Sequence, residues 1–291
     1  MRRHITCAAV ATALLTITAP AFAAEKALGG DERSGWPTEL TRRPLTLGAG
    51  MVEVWAPVQL NASEDADWEP VTLNPSLNIG ITDTWQVGIR HLVGICVGEA
   101  EDGCPVVYND VGFTTRVSLG RGAGLDIALQ GAFNIAPLRE SARAYSAEAG
   151  LLFRAGGGAV ALTLEPTVGF GLNDRDTRVS RTSPILWNLG TYDVVTATET
   201  VGNREQLMLP ATLQLQLGPA LALAAGIALE GPLNPEIGDF SDFYRIPAGA
   251  AVLFTVMPNL DLGASLTFPA LLGENDDTDL RQLAAFVAFR I

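Results

Sequence analysis

Between residues 207 and 230 the chain alternates in polarity. Leu207, Leu209, Ala211, Leu213, Leu215 and Leu217 fall on one side of an extended backbone, and Met208, Pro210, Thr212, Gln214 and Gln216 on the other. Gly218-Pro219-Ala220 reverses the chain. Leu221, Leu223, Ala225, Ile227 and Leu229 then resume the apolar side, backed by Ala222, Ala224, Gly226 and Ala228. A period of two specifies strand, because successive side chains of a strand point to opposite faces. A membrane helix needs about 20 apolar residues in a row, and the glutamines and the central Gly-Pro break any such run. Each arm instead matches the roughly 9–11 residues with which a tilted strand crosses a bilayer. The pattern predicts one hairpin of a transmembrane β-barrel.

The rest of the chain repeats it. Twelve strand-like segments follow one another from residue 45. The first, over 45–60, changes phase at Gly48-Ala49-Gly50, as a bulge would make it do. The second alternates Val71, Leu73, Leu77, Ile79 and Ile81 with Thr72, Asn74, Asn78 and Gly80, and the last alternates Leu283, Ala285, Val287, Phe289 and Ile291 with Gln282, Phe286 and Arg290. Connections after even-numbered segments are short, and those after odd-numbered segments run from about nine residues to over thirty. An even strand count with short periplasmic turns and long outer loops is the pattern of bacterial outer-membrane barrels. The expected fold is therefore all-β: a single 12-stranded antiparallel transmembrane β-barrel over residues 45–291. Ahead of it, Arg2 and Arg3, an apolar run and Ala21-Phe22-Ala23 read as a signal peptide over 1–23. Residues 24–44 have no clean period and are expected to be a short periplasmic segment.

Charge sorts by face. Glu53, Arg90, Arg116, Asp126, Glu148, Arg154, Glu165, Glu230, Arg245, Asp261 and Arg290 all fall on the polar side of their segments, and the apolar sides carry no ionised residue except Arg281 at the outer rim. An Arg or Lys facing mid-bilayer costs about 2–4 kcal/mol, so lipid would impose this sorting. Trp85, Phe153, Phe254 and Phe289 near the turn ends, and Phe133, Tyr145, Phe170 and Phe268 near the loop ends, are placed as two aromatic girdles. Pro75, Pro166, Pro210 and Pro247 interrupt segments that a closed sheet offers no free edge to excuse.

Without residues 1–23 the formal charge is −15, from 19 minus 2 basic residues against 32 acidic ones. Such acidity argues against nucleic acid, which is bound through Lys and Arg. Cys96 and Cys104 remain as the only cysteines, and in an oxidising compartment they are expected to form a disulfide worth about 2–3 kcal/mol. Two cysteines without further ligands do not suggest a metal, and no cofactor motif is present. The acidic loop clusters, such as Glu64, Asp65, Asp67 and Glu69, lack calcium-loop spacing and read as solvated. His91 falls on the lipid side by alternation, with no serine beside it to form a hydrolytic site, so no catalytic residue is expected.

Two stretches, TLNPSLNIGITDTWQVGIR over residues 72–90 and YNDVGFTTRVSL over 108–119, resemble the outer-membrane barrel family named for the meta-pathway of phenol degradation. Ile79-Gly80-Ile81-Thr82-Asp83 fits that family's Gly-x-Thr-Asp hairpin. Asn109 stands where the family has glycine, and its Lys-Tyr pair is absent. The resemblance implies a transport-like barrel and carries over no catalytic residue. The leading expectation is passive passage of small solutes or apolar compounds across an outer membrane, along a lumen lined by the charged residues above. Those charges are either a selective constriction or ion pairs filling a narrow barrel. The rivals are a non-conducting structural or surface-binding barrel that works through its loops, and a lipid-modifying enzyme. The expected partners are outer-membrane lipid, a small solute and, through the C-terminal strand, the barrel-assembly machinery.

Overall fold

A strand with one apolar and one polar face needs hydrogen-bonding neighbours on both edges and a different medium on each side. A closed barrel supplies both. The computed structural model describes residues 36–63, 68, 71–91, 95–97, 111–139, 142–175, 178–183, 187–188, 193–194, 197–273 and 279–291. Twelve antiparallel strands form the wall: β1 Val52–Asn61, β2 in two pieces (Val71–Leu73 and Ser76–Thr82), β3 Trp85–Arg90, β4 Val111–Gly122, β5 Leu125–Arg139 and β6 Ala142–Gly157. They continue with β7 in two pieces (Val160–Leu164 and Thr167–Gly171), β8 Gln206–Gln216, β9 Leu221–Pro232, β10 Arg245–Met257, β11 Leu260–Gly273 and β12 Gln282–Arg290. Each pairs with its neighbours in sequence, and β12 pairs with β1 from Glu53↔Arg290 to Asn61↔Gln282. Closure leaves the sheet without an edge.

The turns at one end are tight. Ala123 and Gly124 between β4 and β5 both have positive φ, 51° and 76°, as a two-residue turn of matching twist requires. At the other end, the connection after β7 forms its own hairpin, Arg178–Ser183 with Ala197–Gly202. The prolines sit where the wall is irregular. Pro75 and Pro166 separate the two pieces of β2 and β7, and their neighbours keep their bonds: Asn74 N–H donates to the Pro57 carbonyl and Leu151 N–H to that of Pro166, both at 3.0 Å. Pro247 lies at a register shift between Ile246 and Ala248.

The outer face is apolar and uncovered. Val54, Leu129, Leu213, Ile227, Leu262 and Val287 are exposed, as are Trp85, Phe254 and Phe289 near the tight turns and Phe133, Tyr145 and Phe170 near the loops. A belt of this extent in water would be an aggregation surface; in a bilayer it is the surface that lipid covers.

The interior departs from the expectation at the N-terminus. The first strand, expected from residue 45, starts at Val52. Residues 36–44, expected in the periplasm, and the residues from 45 that were expected to begin the strand lie inside the barrel at its tight-turn end. Leu40, Leu45 and Leu47 are 1%, 3% and 0% exposed. Leu40 packs among Trp55, Ala222, Ala224, Ala251, Leu253, Phe286 and Ala288, and Leu45 against Ala128 and Leu152. The inward alanines of β9, β10 and β12 make room for this plug, which takes the place of larger wall side chains. The expected signal peptide lies outside the described residues.

Candidate functional site

The plug is held by groups that the wall presents inward. Arg43 donates through Nη1 and Nη2 to the two carboxylate oxygens of Asp261, at 2.6 and 2.8 Å, and through Nη2 to Thr255 Oγ1 at 2.9 Å. Arg290 lies 2.7 Å from the same carboxylate and donates at 2.7 Å to Glu53. The result is a row of alternating charges, Glu53–Arg290–Asp261–Arg43, with side chains at most 1% exposed. Removing ions from water is costly, and close, fork-like geometry is what offsets the cost. Trp36 adds its ring face to Arg290 at 5.5 Å, a cation–π contact.

The plug backbone is met in the same way. Arg116 donates to the Leu45 carbonyl at 3.1 Å, and Arg154 to that of Arg43. Gln86 Oε1 accepts from Leu47 N–H at 2.9 Å. An irregular segment carries backbone groups with no sheet partner, and inward polar side chains supply them. The chain then leaves the lumen through Gly48-Ala49-Gly50. Gly50 N–H donates to the Gly80 carbonyl at 2.8 Å, Gly80 N–H to that of Met51 at 2.9 Å, and Asp83 Oδ1 accepts from Ala49 N–H at 3.0 Å. A Cβ at Gly80 would overlap the Gly48 carbonyl, so glycine is required there by close backbone approach.

Above the plug, toward the loops, lies a polar cavity walled by β1 to β7. Trp55, Asn78, Arg90, His91, Glu148 and Glu165 are among its lining residues, and Gln86 and Arg116, two of the groups that hold the plug backbone, form its floor. Its free volume for water centres is about 60 Å³. At about 10–15 Å³ per water centre that is a handful of waters, not a wide pore. Arg90 donates to Glu148 Oε2 at 3.0 Å, and Asn134 Nδ2 donates to Oε1 of the same carboxylate at 2.7 Å. Gln130 donates to Glu165 at 2.5 Å and to Thr167 Oγ1 at 3.2 Å. Asn74 donates to Gln59 at 2.7 Å.

The eleven charged residues singled out in the sequence are buried or half-buried, and register decides how they pair. Arg290 does meet Asp261, and Arg245 meets Glu230 at 2.9 Å. Arg116 does not meet Asp126. The tight turn sets Arg121 opposite Asp126, the register beyond the shift between Ser118 and Gly120 sets Arg116 opposite Gln130, and Asp126 pairs across β5 and β6 with Arg154 at 2.6 Å. His91 is not on the lipid side. It is 3% exposed and lines the cavity. Leu73 pairs with Ile95 and Ser76 with Arg90, so three steps along β2 oppose five along the other strand. His91, the residue after Arg90, donates its N–H to the Pro75 carbonyl at 3.2 Å, and the alternation of β3 stops there.

Sequence reasoning missed Arg43 and the rest of the plug, which carries no periodic signal, and gave no weight to the amides Asn74, Asn78, Gln130 and Asn134. Cys96 pairs through its backbone with Thr72, while Cys104, and with it the expected disulfide, lies outside the described residues. Among the described residues no cluster of metal-ligand side chains occurs.

No family model matches the chain, and no curated protein matches it in sequence. Solved structures do match. The COG4313 outer membrane channel from Pseudomonas putida F1 is similar over 86% of this chain and 97% of that one, with a TM-score of 0.55 and 11% identity. The NanC porin matches over 81% and 97%, at TM-score 0.48 and 8% identity, and the CymD monoaromatic hydrocarbon channel over 84% and 88%, at 0.44 and 9%. The first of these carries the fold, that of an outer-membrane β-barrel, and at such identity the fold alone.

Proposed function

We propose that the chain forms an outer-membrane channel for small solutes, closed in this conformation by its own residues 36–51. The observation that carries this reading is the construction of the interior. Small wall residues leave a space, and a separable segment fills it through ion pairs and hydrogen bonds. A barrel needing only a core would fill itself with its own wall side chains. The tight-turn end, where the plug sits, is the periplasmic end. A solute arriving from the loop side meets the polar cavity first and the plug second, and passage requires the plug to shift. The likeness of Ile79–Asp83 to the meta-pathway barrel hairpin supports a transport role, as does the solved channel of the same fold. In this reading lipid covers the apolar belt, β12 presents the barrel to the assembly machinery, and Cys96 and Cys104 close the loop between them.

A non-conducting barrel is the second reading, favoured by the thoroughness of the plug's contacts. Planar-bilayer recording of the full-length protein and of a variant lacking residues 36–47 separates the two. A channel shows small or rare openings when intact and a larger, steady conductance without the segment. Silence from both at every voltage supports the second reading.

A further inference from the structure

We infer that the cavity above the plug binds a small, neutral, polyhydroxylated solute, a polyol or aldose of about three to five carbons. The inference rests on the channel reading and names its substrate class.

Charge comes first. Arg90 and Arg116 face Glu148 and Glu165 across the cavity, two against two. Glu148 is engaged on both oxygens, by Arg90 and by Asn134, and Glu165 is engaged by Gln130. An anion would have to displace Glu148 from Arg90, and a cation would have to displace Arg90 from Glu148. Neither gains from a lumen whose charges already cancel.

Hydrogen bonding comes second. Asn74, Asn78, Ser76 and Thr114 also line the cavity. Amides and hydroxyls each offer a donor and an acceptor, and a polyol matches that mixture because every one of its hydroxyls does the same. An apolar compound would strip water from these groups and return nothing. Among the described lining residues Trp55 adds an apolar patch, its ring packed on Leu40 and tilted against Phe286 at a centroid distance of 4.4 Å. Such a patch suits the C–H side of a sugar or polyol. Size comes third. A cavity with room for about four to six waters holds a polyol of that length and not an oligosaccharide.

The test is uptake of labelled ribitol, of its carboxylate analogue ribonate and of the cationic glucamine into proteoliposomes. Full-length protein and the variant lacking residues 36–47 are both used, and folding is checked by heat-dependent gel mobility. Ribitol is expected to enter at least tenfold faster than either charged solute. Glu148→Gln leaves a net positive cavity and is expected to bring ribonate level with ribitol. Arg90→Gln with Glu148→Gln restores neutrality and with it the ribitol preference. Should Glu148→Gln fail to fold, Asn78→Asp tests the same point with opposite sign, favouring glucamine. Ribonate or glucamine entering as fast as ribitol in the unmodified protein, or charge variants that leave the ratio unchanged, overturn the inference and leave the channel reading standing. No uptake of any solute by either form overturns the channel reading and this inference with it.

Discussion

The Arg43 guanidinium grips both carboxylate oxygens of Asp261, 218 residues away in sequence, with neither side chain exposed. This contact ties the plug, at the end of its 3-10 turn Leu40–Arg42, to β11 just after the short turn from β10. Breaking a buried pair from one side costs about 3–5 kcal/mol, because it strands the partner. Here Arg290 still faces Asp261, which moderates the loss. Arg43→Ala is therefore expected to release the plug without unfolding the barrel. Single-channel recording should show more frequent openings at unchanged heat-dependent gel mobility.

Gly80 is the second point of attachment. Valine there must push away the Gly48 backbone, and overpacking of this kind costs about 1–3 kcal/mol. Gly80→Val is expected to lower the urea midpoint of unfolding. Gly120→Val is the control, since a Cβ at Gly120 meets open space.

The lipid assignment of the outer face has its own test at Leu213, exposed in the middle of β8. Leu213→Arg should destabilise the barrel in vesicles by about 2–4 kcal/mol, read from urea titrations of tryptophan fluorescence. Leu213→Met should change little. An arginine that costs nothing there places that face in water.

Outside the membrane, Glu205 at the foot of the long loop has its pKa held below the ordinary value of 4.5, first by its own backbone N–H and then, after an opposing effect of burial, by Arg175. A depressed carboxylate stabilises the fold fully above its ordinary pKa and loses that contribution as the pH falls through the lowered one. Carbon-detected NMR should place the Glu205 midpoint below 4.5. Arg175→Ala should raise it only part of the way, because the backbone donor remains.

The barrel was legible because lipid acts on every second residue. Leu209, Leu213 and Leu217 announce their face from three positions, and tertiary contacts are not needed to interpret them. The plug was not legible, since nothing local distinguishes Leu40 or Leu45 from any loop leucine. Their order comes from Ala222, Ala251 and Ala128, far along the chain. Alternation sorts the eleven charges onto one face, but their partners depend on register. The β4–β5 register sets Arg116 opposite Gln130, and the β5–β6 register brings Asp126 to Arg154. His91 was misplaced because the strand ends at Arg90, at the break that Pro75 makes in β2. The Gly-x-Thr-Asp hairpin did carry a signal: Gly80 and Asp83 are the residues that meet the turn where the plug leaves the lumen. That contact is a physical reason for those residue types which the alternation pattern alone does not reveal.

Thiol labelling tests most directly whether residues 36–51 occupy the lumen. In a background with Cys96 and Cys104 replaced by serine, Leu45→Cys and Ala49→Cys are exposed to a water-soluble maleimide in intact proteoliposomes. A lumenal plug predicts that position 49, exposed at the exit turn, reacts at once, and that position 45, packed on Ala128 and Leu152, reacts only after unfolding in urea. Equal, immediate reaction at both positions would contradict the account.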